Sequence, residues 1–202
     1  MKNLIIVSML LFSPLILTAQ NKNGLLLNGG NSIFRDVSFT ETSWKQELFM
    51  KKFVADVGYR YRIQPLQSNY FYDLDLMVGI KRYNYGGKYG NGYTSNPYES
   101  SEIITSSTRQ YFDFSFSFES SFNYLLTKNL SVGVGVAPTF YLVESSNPRL
   151  KFDIPLIAKT AYDFRFVEVG LYYKFGFTNS LNTRDFSSGK RSEWGISLFV
   201  PF

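Results

Sequence analysis

From about Lys52 to Phe202 the chain alternates, apolar then polar, through seven successive segments. Between Phe112 and Leu126 the even positions read Phe112, Phe114, Phe116, Phe118, Ser120, Phe122, Tyr124 and Leu126, and the odd positions include Asp113, Ser115, Ser117, Glu119, Ser121 and Asn123. A period of two is the mark of a β-strand, whose successive side chains leave on opposite faces. The same pattern recurs at roughly 48–63 (Phe53, Val57, Tyr59, Tyr61 against Asp56, Arg60, Arg62) and roughly 69–83 (Tyr72, Leu74, Leu76, Val78 against Asp73, Asp75, Lys81). It returns in Leu130–Leu142, in Phe152–Phe164 (with Lys151, Asp153, Lys159 and Asp163 opposite), in Val167–Phe177 (with Glu168 and Lys174 opposite) and in Trp194–Phe202. An additional first strand is expected within Gly24–Phe34, with a bulge or bend at Gly29-Gly30. Pro138 falls inside the fifth strand and demands a bulge or an unpaired N–H there.

Eight strands result, and their connections are unequal. Those after the second, fourth and sixth strands are short, with turns at Gln64–Ser68 and Thr127–Asn129. Those after the first, third, fifth and seventh are longer, the longest being a Gly-, Tyr- and Asn-rich loop over 84–106. An even strand number, with short turns at one end and long loops at the other, predicts an all-β, eight-stranded antiparallel up-and-down transmembrane β-barrel.

The first twenty residues suit that reading. Lys2 is followed by an apolar run from Leu4 to Leu17, interrupted by Ser8, Ser13 and Pro14, with Ala19 before Gln20. This predicts a cleaved signal peptide over 1–19 and a single barrel domain over 20–202. No Cys follows the leader, which excludes a lipid-anchored lipoprotein and disulfides alike.

A soluble eight-stranded barrel is the competing arrangement, with its apolar face inward. Three features favour the inverted one. The apolar face is nearly free of charge. Its aromatics sort by height: Tyr59, Tyr70, Tyr72, Tyr124, Tyr162, Phe164 and Phe202 lie toward the short turns, and Phe112, Phe114, Phe140, Phe152, Phe177 and Trp194 toward the loops. Aliphatics such as Val57, Leu76, Val134 and Leu198 lie between, as two membrane interfaces require. The polar face carries Asp56, Asp73, Asp75, Asp113, Glu119, Asp153, Asp163, Glu168 and Glu193 together with Arg60, Arg62, Lys81, Lys151, Lys159 and Lys174. Acids and bases pair well inside a narrow lumen. Against lipid, three bases near the midplane would cost about 6–12 kcal/mol, at roughly 2–4 kcal/mol each.

The last residues, Trp194, Ile196, Leu198, Val200 and Phe202 in alternation, resemble the C-terminal assembly signal of outer-membrane barrels, with Pro201 as an unusual penultimate residue. The chain after the leader resembles the small outer-membrane β-barrel families of Gram-negative bacteria, including PorT-like porin-family proteins. That resemblance implies an outer-membrane location, assembly by the barrel-assembly machinery and, for PorT-like relatives, an accessory role in protein secretion.

Composition narrows the chemistry. There is no His and no Cys, so the usual general base, the thiol nucleophile and the commonest metal ligands are missing. No enzyme, cofactor or metal is expected. Asp73 and Asp75 share one face and formally suit an acid–base pair, but pairing with Arg60, Arg62 or Lys81 accounts for them better. The pI near 9.2 does not point to nucleic acid, because bases alternate with acids along an exported chain. Arg82, Lys88, Arg109, Arg149, Arg184, Lys190 and Arg191 gather toward the loop end and are candidate contacts for lipopolysaccharide phosphates. Tyr85, Tyr89, Tyr93 and Tyr98 make the long loop a candidate recognition surface for a ligand or secretion component. The expected function is a structural or interaction barrel with a plugged lumen, working through its loops. The alternative is a narrow channel, with the small inner face of the fifth strand (Ser131, Gly133, Gly135, Ala137) leaving a gap.

Overall fold

The computed structural model describes residues 19–39, 49–90, 104–143, 149–180 and 186–202. They form β1 (Ala19–Phe39), β2 (Phe49–Pro65), β3 (Tyr70–Gly90), β4 (Ile104–Leu125), β5 (Leu130–Val136), β6 (Thr139–Val143), β7 (Arg149–Asp153), β8 (Leu156–Asp163), β9 (Glu168–Asn179) and β10 (Phe186–Pro201). All pairings are antiparallel between neighbours, and β10 returns to β1, with Gly24 opposite Pro201, closing the sheet. β4 pairs with both β5 and β6, β5 with β8, and β6 with β7. The ten segments are therefore eight staves, two of them interrupted.

The interruptions have one cause. Pro138 breaks the fifth stave and Pro155 breaks the sixth beside it, since neither proline has an N–H for the ladder. Phe118 N–H reaches Pro138 O at 3.0 Å, and Ala137 N–H reaches Pro155 O at 2.9 Å. Register is kept across the break: Ser120 faces Val136 on one side and Ser117 faces Thr139 on the other. Of the two expectations at Pro138, a bulge or a missing ladder bond, the second holds: no residue is inserted, and the ladder is broken there. The sixth stave, expected to be continuous, is broken at Ile154-Pro155.

Three tight turns lie at one end, and each is held by a side chain bonding to nearby backbone. Ser68 Oγ lies 2.7 Å from both Pro65 O and Tyr70 O, which share its one proton. Thr127 Oγ1 accepts Leu130 N–H at 3.0 Å. Asp163 Oδ1 accepts Arg165 N–H at 2.6 Å. Gln67 and Arg165 take left-handed φ values of 61° and 78° to make two of these turns. At the loop end the third hairpin is longer than expected: β3 runs to Gly90 and β4 starts at Ile104, in unbroken register. The Gly/Tyr-rich connection shortens to 91–103, which lies outside the described residues, as do Tyr93 and Tyr98. The first strand is also longer than predicted. No bulge interrupts it at Gly29-Gly30, but its ladder with β2 ends there, at Gly30 opposite Val54.

The two faces are inverted relative to a soluble barrel. Outward lie Leu76 at 48% exposure, Phe116 at 45%, Val134 at 64% and Ile196 at 56%; inward, Asp73 and Asp113 are at 0% and Lys81 at 3%. Water on the outside would make this arrangement untenable, because dozens of large apolar groups would be hydrated while ionised groups were not. Hydrocarbon outside resolves both conflicts, and the closed ladder satisfies backbone polar groups within the bilayer. The belts follow height as expected, with Tyr162 against Phe164 and Tyr59 against Phe202 near the turns, and Phe140 against Phe152 near the loops. One stave differs. β4 presents Phe114, Phe116, Phe118 and Phe122 outward across the whole band, opposite Ile80, Val78, Leu76 and Tyr72, so the aliphatic middle is not continuous. Phe is as soluble in the hydrocarbon band as Leu, and aromatic–aliphatic pairs across strands are favourable.

Candidate functional site: the charged lumen

Alternation along each stave sends the charged residues to one interior, where they sort into tiers. Nearest the turns, β2 contributes Arg60 and Arg62, β3 contributes Asp73 and Asp75, β8 contributes Lys159 and β9 contributes Glu168. Arg60 holds Asp75 with two bonds of 2.8 Å and reaches Glu168 at 3.1 Å. Arg62 donates to Asp73 at 2.7 and 3.1 Å and to Glu168 at 2.6 and 2.9 Å. Lys159 Nζ completes the set on Asp73 at 2.8 Å. Register explains the pairs: Arg60 lies opposite Asp75 and Arg62 opposite Asp73 on adjacent staves, while Lys159 and Glu168 approach across the lumen. Arg62 also stacks 4.0 Å from the centre of the Phe71 ring. Three bases meet three acids, and none of the six has a buried polar atom without a partner.

Above this tier Leu26, Met77 and Phe199 form a small apolar layer. Beyond it Lys81 bridges Asp56 at 2.9 Å and Glu193 at 2.8 Å. Lys174 pairs with Glu119, which also accepts from Ser117 Oγ at 3.2 Å. Gly79 is required here: a Cβ on it would lie 1.7 Å from Asp56 Oδ1, in the space that carboxylate needs to meet Lys81. Nearest the loops Arg191 pairs with Asp113. Its guanidinium lies 4.6 Å from the Tyr141 ring centre, 5.3 Å from Phe34 and 5.8 Å from Tyr83.

Most of the expected lumen residues meet here: Asp56, Arg60, Arg62, Asp73, Asp75, Lys81, Asp113, Glu119, Lys159, Glu168 and Lys174. Asp73 and Asp75 are bound by Arg60, Arg62 and Lys159 and not by Lys81, which serves Asp56 and Glu193. Two assignments change. Asp153 is buried but joins no ion pair among the described residues. It accepts backbone N–H groups of Ile154 at 2.8 Å, Phe177 at 3.3 Å and Thr178 at 3.1 Å, filling in where β7 and β9 have no ladder. Asp163 is half-buried at the turn end, where it shapes the 164–167 turn and lies 3.8 Å from Lys22. Of the gap that the channel alternative places along the fifth stave, the space at Gly133 is taken by Asn123: a Cβ there would stand 2.0 Å from Asn123 Oδ1.

The loop-end bases divide as well. Arg191 is a correction: it is 2% exposed and belongs to the lumen. Its odd numbering, shared with Glu193, is the signal that places it there. Arg82 is on the exterior as expected, bonded to Gln110 at 2.9 Å and 5.5 Å from the Phe112 ring centre. Lys190 pairs with Asp36 at 2.9 Å, which with Arg35 holds the Asp36 carboxyl below its ordinary range. The side chains of Lys88, Arg109 and Arg149, and all of Arg184, lie outside the described residues. Arg35, not singled out by the alternation, lies on the outer wall 3.8 Å above the Phe175 ring centre and donates to Gly176 O at 2.7 Å. Trp194, Ile196, Leu198 and Val200 form one outward row on β10, Leu198 being partly covered, and exposed Phe202 follows just past its end. Among the described residues no group of three or more acids is arranged to hold a metal ion.

No family model and no curated protein matches the chain. Solved structures similar to it have comparable length. Ail, the attachment invasion locus protein of Yersinia pestis, was crystallised with the heparin analogue sucrose octasulfate. It is 10% identical at a TM-score of 0.45, over 91% of this chain and 99% of that one. Neisserial surface protein A is 13% identical at 0.43, over 91% and 99%. The outer membrane protein OprG of Pseudomonas aeruginosa is 8% identical at 0.41, over 90% and 91%. The assignment of this chain as a membrane-spanning barrel stands on its own closure, turn asymmetry and inverted faces, which are the architecture of bacterial outer-membrane barrels.

Proposed function

We propose that this protein is an integral outer-membrane barrel whose lumen is closed to solutes and which works at its loop end. The observation that carries this is the turn-side tier, where Arg60, Arg62, Asp73, Asp75, Lys159 and Glu168 cross-link β2, β3, β8 and β9 with every polar atom engaged. An eight-stranded lumen is only wide enough to be filled by side chains, and here it is filled by groups that each hold the next. Conductance of the refolded protein in planar bilayers tests it, with insertion verified by the heat-modifiable gel shift. The expected record is silent, and discrete current steps would make the chain a narrow channel instead.

Contact with lipopolysaccharide is a second reading, favoured by Arg82 and Arg35 on the outer wall at the loop-side belt, each against an aromatic ring. Replacing both with Gln is expected to raise detergent sensitivity of cells carrying the protein, and unchanged sensitivity would remove this reading. A PorT-like part in protein secretion rests on the family resemblance, and export of cargo unimpaired by deletion would dismiss it.

A further inference from the structure

The loop-side wall has a section that is open on one flank. β1 pairs with β2 only as far as Gly30 opposite Val54, although β1 continues to Phe39 and β2 begins at Phe49. On its other flank β10 keeps register with β9 to Ser192 opposite Phe175 and is then shifted, with Lys190 opposite Asn179. β1 and β10 stay paired with each other to Phe39 opposite Phe186. The stretch Asn31–Phe39 with Phe186–Trp194 is thus a two-stranded ribbon with one free flank: it has no ladder to β2, but on the other side it is held to β9 through Trp194–Ser192, through Lys190 opposite Asn179 and through Arg35 on Gly176 O. A Cβ on Gly30 would lie 2.7 Å from Gly195 Cα, so the strands meet there more closely than other residues allow.

This ribbon leans over the lumen. The Phe34 ring lies 5.2 Å from that of Tyr83, two staves away on β3, and Arg191 reaches Asp113 on β4. Arg191 sits in a cage of one carboxylate and aromatic rings, the arrangement that suits a guanidinium. It fits the cage incompletely. Among the described residues its Nε and Nη1 have no hydrogen-bond partner, and neither do Asp113 Oδ1 and the Tyr83 hydroxyl, all of them buried. A permanently buried arginine ordinarily has its donors satisfied.

We propose that Asp113, Tyr83 and Tyr141 form a binding site for a ligand carrying a guanidinium or alkylammonium group. In this state Arg191 occupies the site as an internal stand-in, and its side chain withdraws when such a ligand enters, as the ribbon swings its free β1 flank outward on the β9 edge. The charge left behind favours this class. With Arg191 withdrawn, Asp113 and Asp153 have no cation, and Asp56, Glu119 and Glu193 share Lys81 and Lys174. An acidic chamber walled by tyrosines attracts cations and repels anions. The inference rests on the loop-end reading above and names what that end takes.

The protein has no Cys, so a single Ser32→Cys, buried on the same inner row of β1 but outside the cage, reports the ribbon. The full chain is refolded into phosphatidylcholine vesicles and its labelling by a membrane-impermeant maleimide is timed with and without agmatine, which carries both cationic groups. Saturable acceleration of about tenfold is expected, the usual range for coupling between two states. Glutarate at equal ionic strength should leave the rate unchanged, and Asp113→Asn should abolish the agmatine response. If Asp113→Asn does not insert, Tyr141→Leu serves in its place, because it removes the ring nearest the cation. No acceleration by roughly 50 mM agmatine, far weaker than the millimolar affinities of poor ligands, would overturn the proposal. So would equal acceleration by glutarate or in the Asp113→Asn protein. A gel shift with no response sinks the cation site alone, whereas no gel shift in the unmutated protein sinks the barrel reading with it.

Discussion

The turn-side and loop-side halves of the lumen are built from the same four residue types, yet they are finished differently. In the turn-side half every ionised group is bonded, and each stave there is laddered to both neighbours. In the loop-side half Asp113, Asp153, Glu193 and Arg191 each keep a buried polar atom without a partner. There the wall is interrupted between β1 and β2, and between β7 and β9 the Asp153 carboxylate replaces the ladder. The lesson is that charge complementarity alone does not make a plug. Buried ions hold a structure rigid when geometry satisfies all of them, and otherwise leave it able to rearrange.

The comparison breaks most directly by swapping ion pairs for apolar ones in each half. Replacing Arg60 with Met and Asp75 with Leu strips Glu168 of one donor and Asp73 of a neighbouring charge, so part of the tier stays buried and unbalanced. A loss of about 3–5 kcal/mol is expected, the usual cost of breaking a buried ionic network. Urea unfolding in lipid vesicles, followed by the gel shift, measures it. Arg191→Met with Asp113→Leu removes a pair that shares fewer bonds, so the same assay should show no loss, or a gain of roughly 1–4 kcal/mol. Equal losses in the two halves would erase the distinction between them.

A smaller effect sharpens it at Gly79. Gly79→Ala puts a methyl where Asp56 Oδ1 now lies, at 1.7 Å, and should cost about 1–3 kcal/mol as an overpacked site. Asp56→Ala in the same chain should return most of that loss. If the double variant is as unstable as the single one, the clash is not with the carboxylate and the account of Lys81's bridge is wrong.

The division into inside and outside was legible in the sequence because strand periodicity is a local property. Parity alone assigns Leu76 to lipid and Asp75 to the lumen, and it assigns Arg191 to the lumen with Glu193, although Arg191 lies near the last loop. Arg60 and Arg62 were legible as partners of Asp75 and Asp73 on the neighbouring strand, whereas the partners across the lumen were not. Lys159 meets Asp73 and Glu168 meets Arg62 across the lumen, which depends on the stagger between staves far apart in sequence. Asp153 has the right parity, but its role follows from Pro155 breaking the stave next to it, and Asp163 from the turn that it starts. The eight-stave count was readable from the turns, whereas the ribbon was visible only as Gly29-Gly30, since loss of a ladder is a relation between two strands.

The smallest expected effect lies at the tip of the ribbon and concerns pH. Asp36 is fully exposed, beyond the belt of aromatics, and its bond to Lys190 ties β1 to β10 where the two strands are irregular. The bond and the charge of Lys190, with a smaller part from Arg35, lower the Asp36 pKa below its ordinary 3.8. A lowered carboxyl pKa means that its contribution is fully present above 3.8 and fades as pH falls below that value toward the folded one. Acidification through this window should loosen only the ribbon tip, seen as faster amide exchange at residues 36–38 and 188–190 while β3 and β4 are unchanged. Asp36→Asn should exchange at the faster rate already at neutral pH and show no further change in that window. If exchange instead rose equally in the turn-side half, whose carboxylates are all held by buried bases, the two halves would be responding as one unit and the contrast between them would fail.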